Sequence, residues 1–220
     1  TGMAAASVSK YIVGVNIVGE EATVVSMRDY RLHMQMFRYL KQRFPKVRLA
    51  MHAGELAVGA VPPTGLRFHI RDAIDVAGAE RIGHGLDVLH ETDAVGLMRT
   101  MREKNIPVEI NLTSNQFILG VQGAEHPVSV YLRQQVPIVI SSDDAGVSRN
   151  QLSGEYVLFA SRYKPSYETV KTAAYNSIRY SFLNAEQKAA QTRILDQRYA
   201  RFEAEMAKLA GKSKWKAPVE

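Results

Sequence analysis

The chain has 220 residues, 46% of them apolar and 23% charged, and no cysteine, which supplies core material but excludes disulfides and thiolate metal sites. Any metal must therefore be held by His, Asp or Glu. The formal charge of +6 comes from 28 Lys and Arg against 22 Asp and Glu, scattered except for Lys208 to Lys216, which reads as a solvated end and not as a nucleic-acid surface.

In chain order, Thr1-Gly2 ahead of Met3 is no translation start, so an added or cut end is expected, and Thr1 to Ser7 lacks the pattern of a signal peptide. No apolar run approaches the roughly 18 residues of a membrane span. Five β-rich runs follow at Tyr11–Ile17, Val47–Met51, Arg81–Gly83, Val108–Leu112 and Val136–Ile140. Between them lie helical patterns at Arg28–Phe44, Gly65–Ala77 and Thr92–Lys104. After the last strand a helical stretch runs from Ser153 to Ala210, broken near Lys164-Pro165 and Leu183-Asn184. Strand-helix alternation of this period predicts one α/β domain over 1–220 with parallel strands, either a barrel or an open doubly wound sheet. An eight-stranded barrel needs about 250 residues, so a barrel here has only five strand-helix units, about 11–150, with terminal helices after them.

Polar residues gather just past the carboxy ends of the strands, the functional face of parallel α/β folds. These are Gly19-Glu20-Glu21, His52-Ala53-Gly54-Glu55, His84 with its flanking glycines, and Ser141-Ser142-Asp143-Asp144. His52 and Asp143 are ligand types that suit zinc. Glu55 could swing back as a proton-transfer group, and His84 could steady an oxyanion or hold an attacking water. A lone histidine at a strand end is more often structural. Several such clusters at successive strand ends are harder to explain as packing, because their desolvation is costly without a task. His33, His69, His90 and His126 read as surface or structural residues, and Tyr156, Tyr163, Tyr167, Tyr175 and Tyr180 as helix packing.

The stretches His52-Ala53-Gly54-Glu55, Arg81-Ile82-Gly83-His84-Gly85 and Ser141-Ser142-Asp143-Asp144, in that order, resemble three motifs of the adenosine deaminases. Val13-Gly14-Val15 leading to Gly19-Glu20, and Thr113-Ser114-Asn115, extend the match over about residues 11 to 205. The resemblance implies a (β/α)8 barrel of the metal-dependent hydrolase type, with one zinc held in part by His52 and Asp143. It further implies that Glu55 protonates the purine ring, that His84 positions the attacking water, and that Asp144 and the Gly19 backbone hold the purine. Adenosine would become inosine and ammonia. The family's first strand supplies a His-x-His pair that these residues do not contain, so the chain is expected to be the carboxy-terminal part of a longer protein, without the full site. It is expected to be inactive alone and to pair with the remaining strands or with another copy. Ala145 stands where a proline is usual, and Asn111-Leu112-Thr113 where Cys-Pro is common. The helical tail looks most like the secreted growth-factor-related branch, favouring a secreted or periplasmic location. A non-catalytic half-barrel, or an amidohydrolase acting on a cyclic amide, are the other readings.

Overall fold

The computed structural model describes residues 1–212, so Ser213 to Lys216 of the basic tail lie outside it. Contacts divide the chain into two compact units, Thr1–Phe182 and the part from Leu183 onward. In the first unit helix α1 (Gly2–Val8) precedes strand β1 (Gly14–Val15) and helix α2 (Val24–Arg43). Then come β2 (Arg48–Ala53), α3 (His69–Asp72), β3 (Arg81–His84), α4 (Ala94–Glu103) and β4 (Val108–Ile110). Helices α5 (Leu112–Leu119) and α6 (Val128–Arg133), strand β5 (Ile138–Ile140), and helices α7 (Ala145–Ser148), α8 (Leu152–Tyr163) and α9 (Tyr167–Arg179) complete it. The second unit holds α10 (Ala185–Lys212).

All five strands are parallel and lie side by side in chain order. A doubly wound sheet reverses its order at a switch point, whereas a barrel adds each strand beside the last. The sequential order therefore selects the barrel-type arrangement. The strand bounds need correcting. Of the expected Tyr11–Ile17 only Gly14–Val15 pairs, and Tyr11 and Val13 are exposed. Val108–Leu112 ends at Ile110 because Leu112 already opens α5, while Val136–Ile140 pairs only from Ile138. The Gly65–Ala77 pattern is not one helix but a 3-10 turn at Gly65–Arg67, α3, and a π turn at Ala73–Ala77. Helix α2 starts four residues earlier than its apolar period suggested, because the Thr23 hydroxyl caps it by accepting from Ser26 N–H. Breaks at Lys164 and before Ala185 fall where the sequence placed them. Lys164 sits in the left-handed region, φ 46°, before Pro165.

Strand alternation sorts the side chains between two faces. Leu49, Met51, Ile82, Val108, Ile110, Ile138 and Ile140 form one buried cluster with Met34, Ile70, Leu97, Met101, Tyr131 and Phe159 from the helices. Each such side chain contributes about 1.5–3 kcal/mol on leaving water. The opposite face is polar near the amino ends of the strands. There Arg81 pairs with Glu109 at 2.5 Å, and the guanidinium groups of Arg48 and Arg81 lie 4.7 and 4.6 Å from the Phe182 ring.

One buried carboxylate of this unit gives a pH test. Glu91 Oε1 accepts from Ile70 N–H (2.6 Å) and Arg71 N–H (3.2 Å), while Oε2 has no partner. Burial, opposed by those two bonds, pushes the Glu91 carboxyl from 4.5 up to about 7. The folded state then binds more protons than the unfolded state between these values, so stability falls as pH rises from about 4.5 through about 7. Glu91→Gln keeps the accepting oxygen and removes the charge. Its Tm should exceed that of the parent at pH 8 by about 2–4 °C, the shift made by roughly 1 kcal/mol in a domain of this size, and match it at pH 4. Thermal melts at the two pH values check this, and equal Tm values at pH 8 would show that the charge carries no penalty.

Candidate metal centre and active site

The carboxy ends of the strands open into a cleft of about 460 Å³ lined by Gly19, His52, Glu55, His84, Asp143 and Asp144, together with Glu21 and apolar side chains. All six residues that the sequence singled out thus share one cavity. His52 sits near the end of β2, in register with Gly83 of β3. A side chain at 83 would place its Cβ 3.3 Å from His52 Nδ1, so glycine leaves the imidazole its room. Asn16, just past β1, holds His52 from the other side. Its Oδ1 accepts from His52 N–H at 3.0 Å, and its amide lies 2.9–3.2 Å from His52 Nδ1. With Nδ1 engaged, Nε2 is the His52 nitrogen left for a metal.

His84 closes β3 at φ 69° and Asp143 follows β5 at φ 50°, both in the left-handed region. Non-glycine residues enter that region at a cost of order 1–3 kcal/mol, and such strain concentrates at functional sites. Here it turns both side chains out of strand geometry at the mouth of the cleft. The His84 ring lies 4.8 Å from that of His52, and His84 Nε2 is 3.8 Å from Asp143 Oδ2. Ligand atoms of His52, His84 and Asp143 all fall within 4.8 Å of one another, close enough to share one metal ion. Burial, with His52 alongside, pushes the His84 imidazole down to about 3, so it is neutral at ordinary pH.

Glu55 lies across the cleft, its Oε1 3.5 Å from His84 Nδ1. Burial, then the charges of Asp143, Glu21 and Asp144, push its carboxyl up to about 7. A carboxyl poised there can give and take a proton near neutrality. Its backbone is clamped, since Glu21 accepts from Gly54 N–H at 2.9 Å and from Glu55 N–H at 2.7 Å. Adjacent N–H groups converge on one carboxylate because Gly54 has φ 74°, and a Cβ there would stand 2.4 Å from Asp87 Oδ1. Asp144 is exposed and opens α7, while Gly19, at φ 149°, leaves its backbone exposed on the far wall.

Several supporting residues escape a reading of the sequence. His69 is fully buried, stacks on Tyr30 at 3.7 Å, and brings Nδ1 against Glu21 Oε1. His126 is also buried, with Nε2 3.2 Å from Asn115 Oδ1. Both were expected to be surface or structural, and both are structural members of hydrogen-bond chains that end at the cleft. His90 is exposed. The polar Asn16 inside an apolar run is the one local signal of this support. Tyr156 and Tyr163 pack against the core as expected, whereas Tyr167 is exposed.

Comparison with known proteins accords with this geometry. The adenosine deaminase family model matches residues 3–198. An adenosine deaminase of Clostridium perfringens is 31% identical over 182 residues, covering 82% of this chain and 50% of that protein. The chain thus spans about half the length of the curated relatives it matches. Among solved structures, an amidohydrolase from Burkhoderia ambifaria with bound Zn superposes with TM-score 0.74 at 18% identity, over 94% of this chain and 55% of that one. An adenine deaminase from Arthrobacter aurescens gives 0.67 at 24% identity, over 86% and 53%. Sequential parallel strands with polar residues at their carboxy ends, and a family match over nearly all of the first unit, lead to one assignment: the chain belongs to the adenosine deaminase family.

Proposed function

We propose that this chain takes part in zinc-dependent hydrolytic deamination of a purine nucleoside, converting adenosine to inosine and ammonia. The observation that carries the reading is the convergence of His52, His84 and Asp143 within 4.8 Å beside Glu55, whose carboxyl titrates near neutrality. The donor set fits zinc. An imidazole nitrogen and a carboxylate oxygen are among its usual protein ligands, and Asn16 fixes the imidazole from behind, as metal-bound histidines require. His52 and Asp143 would hold the ion, with its remaining ligands coming from other donors, since no His-x-His pair occurs in these 220 residues. When bound, zinc lowers the pKa of a coordinated water toward about 7.

The residues of the chain do the rest. His84 holds the attacking water, and Glu55 delivers a proton to the ring nitrogen next to the amine-bearing carbon, which makes that carbon electrophilic. Oxygen bonds to the carbon, one proton of the water returns to Glu55 and the other goes to the amine, the carbon–nitrogen bond breaks, and the amine leaves as ammonia. Asp144 and the Gly19 backbone hold the purine edge. The Clostridium relative and the Arthrobacter neighbour are an adenosine deaminase and an adenine deaminase, whose substrates share the amine-bearing purine carbon that this chemistry needs. Exposed apolar residues beside the outer edge of β1, Tyr11, Val13 and Val18, support a further role for that edge in pairing with a second copy or another segment of polypeptide.

In the complete protein, Glu55→Gln should lower kcat for adenosine by about 10²- to 10⁴-fold, with KM and folding little changed. Inosine formation, read by absorbance, measures it, and undiminished turnover would remove Glu55 as the proton donor. His52→Ala should lose bound zinc by metal analysis after dialysis. A complete, zinc-loaded protein that turns over neither adenosine nor adenine would overturn the purine reading itself.

A further inference from the structure

A single backbone amide fixes the proton positions of two histidines. Val128 N–H donates to His126 Nδ1 at 3.2 Å. A backbone N–H can only donate, so Nδ1 carries the lone pair and the His126 proton sits on Nε2. That Nε2 lies 3.2 Å from Asn115 Oδ1, which must accept, and the orientation of the Asn115 amide follows. Its Nδ2 then faces His84 Nδ1 at 2.8 Å. An amide nitrogen also only donates, so His84 Nδ1 is an acceptor too. Asn111 Nδ2, 3.3 Å away, adds a second donor to the same nitrogen. The neutral His84 ring therefore keeps its proton on Nε2, which makes no hydrogen bond and lies 3.8 Å from Asp143 Oδ2.

We propose that His126 and Asn115 are positioning residues that hold the His84 proton on Nε2, so that His84 donates a hydrogen bond into the metal site and is not a third ligand of the metal. The inference rests on reading this cleft as the deaminase centre. Proximity alone leaves His84 free to ligate, since its atoms lie as close as those of His52 and Asp143. The two imidazoles differ in what holds Nδ1. Asn16 presents both its nitrogen, at 2.9 Å, and its oxygen, at 3.2 Å, to His52 Nδ1, so it imposes no single tautomer there and leaves Nε2 open to a metal. At His84 Nδ1 the amide nitrogens of Asn115 and Asn111, at 2.8 and 3.3 Å, lie closer than Glu55 Oε1 at 3.5 Å, so Nδ1 accepts and Nε2 places N–H and not a lone pair toward the reacting oxygen. Such a donor stabilises negative charge developing on that oxygen. The relay is buried, with Asn115 and His126 0% and 2% exposed. Burial also pushes His126 down to about 4, so no second proton disturbs its Nδ1 near neutrality.

The test labels histidine with ¹⁵N and reads from long-range ¹H–¹⁵N spectra of the chain which ring nitrogens carry protons. In the parent, both His84 and His126 should show unprotonated Nδ1 and protonated Nε2. Asn115→Asp is isosteric and turns the donor facing His84 into an acceptor. It should move the His84 proton to Nδ1 and, in the complete protein, lower kcat by about 10²-fold, the cost of losing one such donor, with zinc affinity retained or raised. Should that variant fail to fold, His126→Phe frees the Asn115 amide to turn over and should give mixed His84 tautomers. An active deaminase whose His84 proton resides on Nδ1, or a His84 tautomer unmoved by either change, overturns the inference alone. A His84 that behaves as described in a protein deaminating no purine supports the relay and overturns the proposed function alone.

Discussion

Four paired positions, Ala50 with Arg81 through Ala53 with His84, lock β2 to β3, and the whole arrangement of the cleft hangs on that register. Side chains alternate with a period of two, so a slip by one residue would send His52 among the helices and Met51 into the cleft. The apolar row Met51, Ile82, Val108 and Ile138 runs across four strands in the same register. Burial of that row beneath the helices therefore fixes the register that the chemistry uses. Core packing and site geometry are one constraint seen from opposite faces of the sheet.

Around this frame the polar groups are arranged in tiers. His52, Glu55, His84 and Asp143 face the cleft. Behind them Asn16 holds His52, Glu21 clamps the Gly54-Glu55 backbone, and Asn115 holds His84. Behind those again stand His69 and His126, both buried. Every supporting side chain comes from a different segment than the one it supports. The cleft is thus assembled by tertiary contacts, and the loop residues Asn16, Glu21 and His126 supply much of its support.

That separation explains what could be read from the chain beforehand. Strand ends followed by His52, His84 and Asp143 were legible, because parallel strands place their carboxy ends together and those residue types are conspicuous there. The parallel sheet was legible from its period, though Tyr11–Ile17 overstates β1 because apolar residues on an edge look like a strand even where nothing pairs with them. Leu112 reads as strand because the run Val108 to Leu112 is continuous in hydropathy, which conceals α5 and with it the helical setting of Asn115. His69 and His126 were out of reach. Their partners, Glu21 and Asn115, lie 48 and 11 residues away, and nothing in local spacing announces such pairs.

The left-handed backbone at His84 and Asp143 also bears on how this site can change over evolutionary time. Side chains branched at Cβ fit that region poorly, while glycine, asparagine, aspartate and histidine enter it most readily. Each position is consequently screened twice, once for the chemistry of the replacement and once for whether the chain can bend there at all. The set of neighbouring sequences that keep the shape of the cleft is narrow at these two points, and it is already enriched in small polar groups. Aspartate at 143 and histidine at 84 are among the few non-glycine residue types that meet both demands.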